Sequence, residues 1–308
     1  MNHNLVIGAG LIGRNLAARL SEAGESVTIA SRSGSNVEGV QSVGLDATDS
    51  NALSVAARHT TTMFLASSPA HYHRWPQLWP PVFESVVTAA RTSGARLVMM
   101  GNLYAYGEGA SMPMKESDAL RPTEPKGEVR KAGWELAKAA HERGEIQAVE
   151  VRASDYFGPF AGKNAQLGSA FFEPIIAGKQ ARTFGSIDEP HSWTYLPDIT
   201  ETLMAASVYV GEWGRAWHVP SAEAMTRREL TGRINALTGA HGSVLPFSDR
   251  MLRTLGVFSK TIRAANDSYY QFIRPFTVDS TETERLLGVR PTPWSESLPP
   301  TIESYVTR

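Results

Sequence analysis

Short apolar runs alternate with amphipathic stretches over the first half of the chain. The apolar runs are Leu5–Ile7, Val27–Ala30, Met63–Ala66, Leu97–Met100 and Ala148–Arg152. Between them, helical spacing of apolar residues marks Arg14–Ala23, Ser50–Arg58, Pro81–Ser93 and Glu128–Arg143. Strand-length apolar segments separated by helices predict a parallel sheet covered on both faces. Gly24 and Gly94 follow two of these helices, where a C-cap glycine belongs. Beyond about residue 156 the alternation loosens, Pro and Gly become frequent, and Trp and Tyr cluster. A smaller lobe is expected there. The strand and helix pair Thr194–Tyr209 and the strand Ala216–Val219 are expected to return to the main sheet. The predicted architecture is a doubly wound α/β domain over residues 1–160 plus about 192–220. A smaller, discontinuous C-terminal lobe takes 161–191 and 221–308, with Thr281–Tyr305 tying the two together.

The first strand runs into Gly8-Ala9-Gly10-Leu11-Ile12-Gly13 and then into a helix. In that setting Gly8 permits the tight turn and Gly10 lets backbone approach a pyrophosphate. Gly13 lets helix pack on strand, and the free N–H groups at Leu11 and Ile12 face the phosphates. This is the Rossmann dinucleotide turn, and the bland reading is a tight turn between packed elements. The second strand ends in Ser31 and Arg32, where an NAD site usually places an acid. An arginine fork and a hydroxyl suit a 2′-phosphate, so NADP is expected over NAD. Asp46-Ala47, after the run Gln41–Leu45, is placed to accept from the adenine amino group or to cap a helix. Ala66-Ser67-Ser68 closes the fourth strand and is expected to border the nicotinamide-side ribose, since ligands lie beyond the carboxyl ends of parallel strands.

Composition narrows the classes. A net charge of −1 in 308 residues suggests neither nucleic acid nor an anionic membrane as partner. The absence of cysteine removes disulfides, thiolate metal sites and thiol nucleophiles. The eight histidines are scattered, so no metal site is expected. With no apolar run of membrane length and no export signal, a cytoplasmic location is expected.

With these residues in hand, the chain resembles the extended short-chain dehydrogenase/reductase superfamily, of the NAD-dependent epimerase/dehydratase type, with Ile7 where extended members usually carry a glycine. His191-Ser192-Trp193-Thr194-Tyr195-Leu196-Pro197-Asp198, Ala216-Trp217-His218-Val219 with Thr226–Leu230, and Phe276–Ser280 before Leu286-Leu287-Gly288 carry the likeness through the later half. The resemblance implies a Ser four residues before a Tyr-Gly pair, then a Tyr-x-x-x-Lys about twenty residues on. In that family the Tyr is the acid/base, the Ser holds the oxygen, and the Lys binds ribose and lowers the phenol's pKa. Counted from Tyr106-Gly107, the Ser position is Asn102, the Lys position is Lys131 and the Tyr position is Gly127. The match is to the atypical members. The strand and loop Val149–Pro159 resemble the family's nicotinamide amide contact, implying backbone contacts at Ala153 and Ser154, with Asp155 and Tyr156 toward substrate.

Three readings follow. In the first, an NADP-dependent oxidoreductase acts on a carbonyl or related group of a small organic molecule, with a relocated acid. Tyr104, Tyr156, Tyr195 and Lys131 are the candidates, and Asn102 donates to the oxyanion. In the second, hydride moves without a protein acid, and Gly127 enlarges the pocket. In the third, the chain is a non-catalytic NADP-binding regulator or redox sensor, like the NmrA-type members. Lys163, Lys179, Arg182 and Arg233 form no tight cluster for a diphosphate. The loop His71–Pro76 either lids an apolar pocket or packs Trp75 on the helix that follows. A homodimer through Pro81–Ser93 and Glu128–Arg143 is implied by the resemblance alone.

Overall fold

The computed structural model describes residues 2–69, 71–162, 165–247 and 267–306. Seven strands make one sheet: β1 (His3–Ile7), β2 (Ser26–Ser31), β3 (Gln41–Gly44), β4 (Thr62–Leu65), β5 (Arg96–Asn102), β6 (Ala148–Ala153) and β10 (Ala216–His218). Their order is β10-β6-β5-β4-β1-β2-β3, and every pairing is parallel. The order reverses between β1 and β4, which opens a crevice at the carboxyl ends of those strands.

Alternation along each strand builds the two layers. In β1, Leu5 and Ile7 point to one face, where they join Leu65, Leu97, Met99, Trp79, Phe83 and Trp134. Val6 points to the other, with Ile29, Phe64, Val98, Leu16 and Trp217. Helices α2 (Ser50–Ala56), α3 (Trp75–Ser93) and α4 (Pro125–Glu142) cover the first face. Helices α1 (Leu11–Glu22) and α6 (Leu196–Ser207) cover the second. Both faces are dry, which is why the central strands carry so little polar sequence.

The smaller lobe has its own core, in which Phe171, Phe172, Trp193, Leu230, Trp294 and Tyr305 are buried. Helices α5 (Ser169–Ile176) and α7 (Arg227–Thr238) build it together with α9 (Trp294–Val306), and β8 (Gln180–Thr183) pairs with β11 (Ser243–Pro246). A short helix, α8 (Thr281–Leu287), leads back along α6 and β10. Asp198 of α6 accepts from the N–H and hydroxyl of Thr292, which ties the C-terminal segment to the large domain.

Two expectations are corrected. Strand β9 (Thr194–Tyr195) pairs with β7 (Tyr156–Phe157) in a separate ladder rather than in the main sheet; only β10 joins the sheet, beside β6. The loop expected at His71–Pro76 is largely helical, since α3 begins at Trp75 and runs through Pro80 and Pro81. Trp75 is thus part of the helix on which it was expected to pack. Among the described residues no helix is long and apolar enough to cross a membrane.

Candidate active site

The glycine turn is built from close backbone contacts. Gly8 has φ +114°, and a Cβ there would lie 2.6 Å from the backbone of Ser67. A Cβ on Gly13 would lie 2.0 Å from the carbonyl oxygen of Gly8. Strand β1, helix α1 and the end of β4 are therefore pressed together as only glycine permits. Gly10 is different, because a Cβ there meets nothing within 4 Å. It caps α1 without any side-chain hydrogen bond, so the first-turn amides of Leu11 and Ile12 have no side-chain acceptor at the cap. Open space in front of uncapped helix amides is a cradle for a phosphate. The residues present fit a dinucleotide's pyrophosphate.

Ser31, Arg32, Asp46 and Ala47 stand at the carboxyl ends of β2 and β3. Arg32 is exposed. The Ser31 hydroxyl donates to Gly34 O at 2.8 Å and closes the turn after β2. Asp46 Oδ1 accepts from both the N–H and the hydroxyl of Thr48. Those bonds, helped by Arg32, hold its carboxyl below the usual range. It acts locally as a turn cap, and its second oxygen is left for other contacts. Ala66 and Ser67 are half-buried at the end of β4, and Ser68 is exposed beside them.

The ends of β5 and β6 carry side chains instead. Asn102 pairs in register with Ala153. Its Oδ1 accepts the N–H of Tyr104 at 3.2 Å, which leaves the amide NH₂ as a donor. Ser154 follows; its N–H donates to Thr194 Oγ1. His191 Nε2 lies 3.1 Å from Asp155 Oδ2 and 3.4 Å from Ser154 Oγ. The ring is sandwiched among Trp193, Phe272 and Phe276. Burial holds the imidazole's pKa down, against the pull of Asp155. Tyr156 is half-buried beside this group, and loss of water raises its phenol. Tyr195 is buried against Phe157.

Helix α4 does not present the residues expected of it. Lys131 lies outside the site. It stands 3.9 Å from Glu135 and lines a cavity of about 680 Å³ with Glu116, Trp134, Lys138, Arg152 and Arg215, on the β10 flank of the sheet. Gly127 is not a vacated pocket either, since a Cβ there would strike Tyr104 O at 2.5 Å and Pro122 at 2.7 Å. This glycine lets the first turn of α4 pack on the backbone after β5. The face turned inward carries Lys126, Arg130 and Gly133, at helical positions i, i+4 and i+7. Lys126 is 4% exposed, and its Nζ sits 5.0 Å from the Tyr104 ring centre and 5.5 Å from that of Tyr72. Lys126 and Arg130 thus keep the four-residue spacing expected of Gly127 and Lys131, one residue earlier.

Tyr104 is not suited to be a base. Loss of water raises its phenol well above the ordinary value, and Tyr72, Asp155 and Glu124 all act in the same direction. It is a neutral wall and donor. Tyr106 is fully buried in a second network. Its hydroxyl accepts from Arg152 Nη1 at 2.7 Å and meets His218 Nε2 at 2.7 Å, while His218 Nδ1 bonds Asp279 O at 2.9 Å. Burial is the main cause that pushes the Tyr106 phenol to about 12 and the His218 imidazole down to about 4. Arg152 also pairs with Glu150 at 2.6 Å, and Arg130 lies 4.0 Å from the same carboxylate. This network braces β5, β6 and β10 from within. Sequence reasoning misses it, although Glu150 and Arg152 at i and i+2 of an otherwise apolar strand are its signal. Lys179, Arg182 and Arg233 are exposed, and Arg233 pairs with Glu223; Lys163 lies outside the described residues.

Comparison with known proteins shows the family and the fold. Residues 4–212, more than half of the chain, match the model of the NAD dependent epimerase/dehydratase family. No curated protein matches the sequence. The fold is similar to that of UDP-glucose 4-epimerase from Thermotoga maritima, solved with UDP-glucose. The identity is 18% over 99% of each chain, with TM-score 0.80. It is also similar to UDP-N-acetylglucosamine 4-epimerase from Methanobrevibacter ruminantium, solved with UDP-N-acetylmuramic acid. There the identity is 18% over 100% of this chain and 99% of the other, with TM-score 0.82. A third is UDP-glucuronic acid 4-epimerase from Bacillus cereus in complex with NAD, at 16% identity over 99% of each chain and TM-score 0.77.

Proposed function

Because the chain belongs to the NAD dependent epimerase/dehydratase family, we propose that it is a nicotinamide-dependent oxidoreductase, with NADP preferred over NAD. Its substrate is a small organic molecule presenting a carbonyl or the corresponding alcohol. The observation that carries the reading is the cradle: Gly8 and Gly13 fixed by backbone contacts, with open space and uncapped amides at Gly10. Leu11 and Ile12 would hold the pyrophosphate, and Ser67 would border the second ribose. Arg32 and Ser31 favour a 2′-phosphate on charge. The neighbour from Bacillus cereus is solved with NAD, and the preference for NADP rests on Ser31 and Arg32 of this chain alone. A bound nicotinamide supplies the hydride acceptor or donor.

The chain's own residues do the rest. Asn102 offers its NH₂ to a substrate oxygen on which charge develops. Tyr104, Asp155 and Tyr156 form the wall around that oxygen. The similar epimerases are named for nucleotide sugars; in this chain Lys179, Arg182 and Arg233 are exposed.

The test is a titration with NADPH and NADH followed by nicotinamide fluorescence, then a carbonyl and enone panel with the tighter cofactor. Tighter NADPH binding with oxidation on a panel member is the expected result. Binding without turnover across the panel would favour the regulator reading. No binding of either cofactor would overturn the proposal.

A further inference from the structure

Three consecutive strand ends converge on one amine. Tyr72 follows β4, Tyr104 follows β5 and Asp155 follows β6. Lys126, in the first turn of α4, lies over the rings of the first two and within electrostatic reach of the third. In a doubly wound sheet the carboxyl ends of these strands are where a ligand's reacting end lies. A buried lysine in such a place is unusual, because an ammonium loses its hydration there.

We propose that Lys126 is the group that exchanges a proton with the substrate oxygen in this site, in place of a phenol. The inference rests on the nicotinamide-dependent reading above. Its surroundings set the charge balance. Burial draws the ammonium's pKa down from the ordinary lysine value, while Glu124, Asp267 and Asp155 oppose that shift. The lysine is therefore readier to release a proton than one in water. The faces of the Tyr72 and Tyr104 rings favour the cationic form.

In the reductive direction the bound cofactor would supply hydride to the carbonyl carbon, and the π pair of the C=O would move to the oxygen. That oxygen takes a proton from Nζ. One N–H bond breaks, one O–H bond forms, and Lys126 is left as a neutral amine. Solvent restores its proton. In the oxidative direction the neutral amine would take the hydroxyl proton, and the oxidised cofactor would supply the hydride acceptor for the carbon.

The test separates this inference from the cofactor reading. Nitrogen-resolved NMR of the lysine Nζ groups, with the Lys126 signal assigned by its loss in Lys126→Met, follows titration with and without NADPH. The expected result is a midpoint below that of the other lysines and a shift when NADPH binds. Lys126→Met is expected to keep NADPH binding while turnover on any panel substrate falls by roughly 10²–10⁴-fold. Lys126→Tyr is expected to recover part of that turnover with an altered pH profile. A Lys126 signal that titrates with the others and ignores bound NADPH would overturn the proposal, as would full turnover in Lys126→Met. If NADPH fails to bind the unaltered protein, the cofactor reading itself falls and this inference falls with it.

Discussion

The cradle at β1 and the mouth at β5 and β6 are made of different material. At β1 the contacts are backbone against backbone, with Gly13 facing the Gly8 carbonyl and Gly8 facing Ser67. At β5 and β6 the working surface is side chains that come from four separate stretches: Asn102 and Tyr104, Lys126, Asp155, and His191. A backbone site tolerates little variation and keeps one function, the seating of phosphates. A side-chain site exchanges its chemistry one residue at a time while the sheet beneath it stays put. The buried network of Glu150, Arg152, Tyr106 and His218 lets the sheet hold still under a changed mouth.

That contrast can be broken at several points. Arg152→Met removes one partner of a buried ion pair and is expected to destabilise the fold by about 3–5 kcal/mol. Denaturant unfolding checks this, and NADPH affinity measured well below the melting temperature should be nearly unchanged. If affinity collapsed with stability intact, the network would belong to the site and not to its support.

The next effect is a pH dependence. His218 is fully buried, with its imidazole held down to about 4 against an ordinary 6.5. Its folded form stays neutral where the unfolded form takes a proton. The stability it supports is therefore present above pH 6.5 and lost as pH falls toward 4, by roughly 3 kcal/mol at most. Unfolding curves at stepped pH should show this slope, and His218→Gln should flatten it. An equal slope in the variant would assign the loss to other groups.

Gly13→Ala forces a methyl group into the Gly8 carbonyl. It is expected to cost about 1–3 kcal/mol of stability and to remove NADPH binding. Retained affinity would show that the turn is not the cofactor's seat. The smallest effect sharpens the cradle's selectivity. Arg32→Glu at the exposed end of β2 should move the NADP-to-NAD affinity ratio toward NAD by roughly tenfold, about 1.4 kcal/mol. An unchanged ratio would place the 2′-phosphate elsewhere.

The same contrast explains what was legible in the sequence. The six strands from β1 to β6 and the glycine turn depend on local pattern: short apolar runs, and glycines at the end of a strand. The start of α4 did not follow from local pattern. Counting forward from Tyr106-Gly107 crosses a Pro-rich connection whose path is unknown from sequence, and it lands on Gly127 and Lys131. The helix begins at Pro125, earlier than its apolar periodicity, so Lys126 reads as loop while it is in fact buried. The signal that sets the phase is Gly133, where a Cβ would strike the Phe83 ring at 2.3 Å. Lys126 and Arg130 lie two turns and one turn before it on that face. His191 meets Asp155 across 36 residues, a contact fixed by the β7–β9 ladder, which sequence alone sends to the wrong sheet.

The most direct test of the account is a crystal structure of the protein with bound NADPH. The account predicts the pyrophosphate on the amides of Leu11 and Ile12, the 2′-phosphate beside Arg32, and the nicotinamide ring opening onto Lys126, Asn102 and Tyr104. A cofactor seated away from the glycine turn would contradict it, as would a nicotinamide facing away from Lys126.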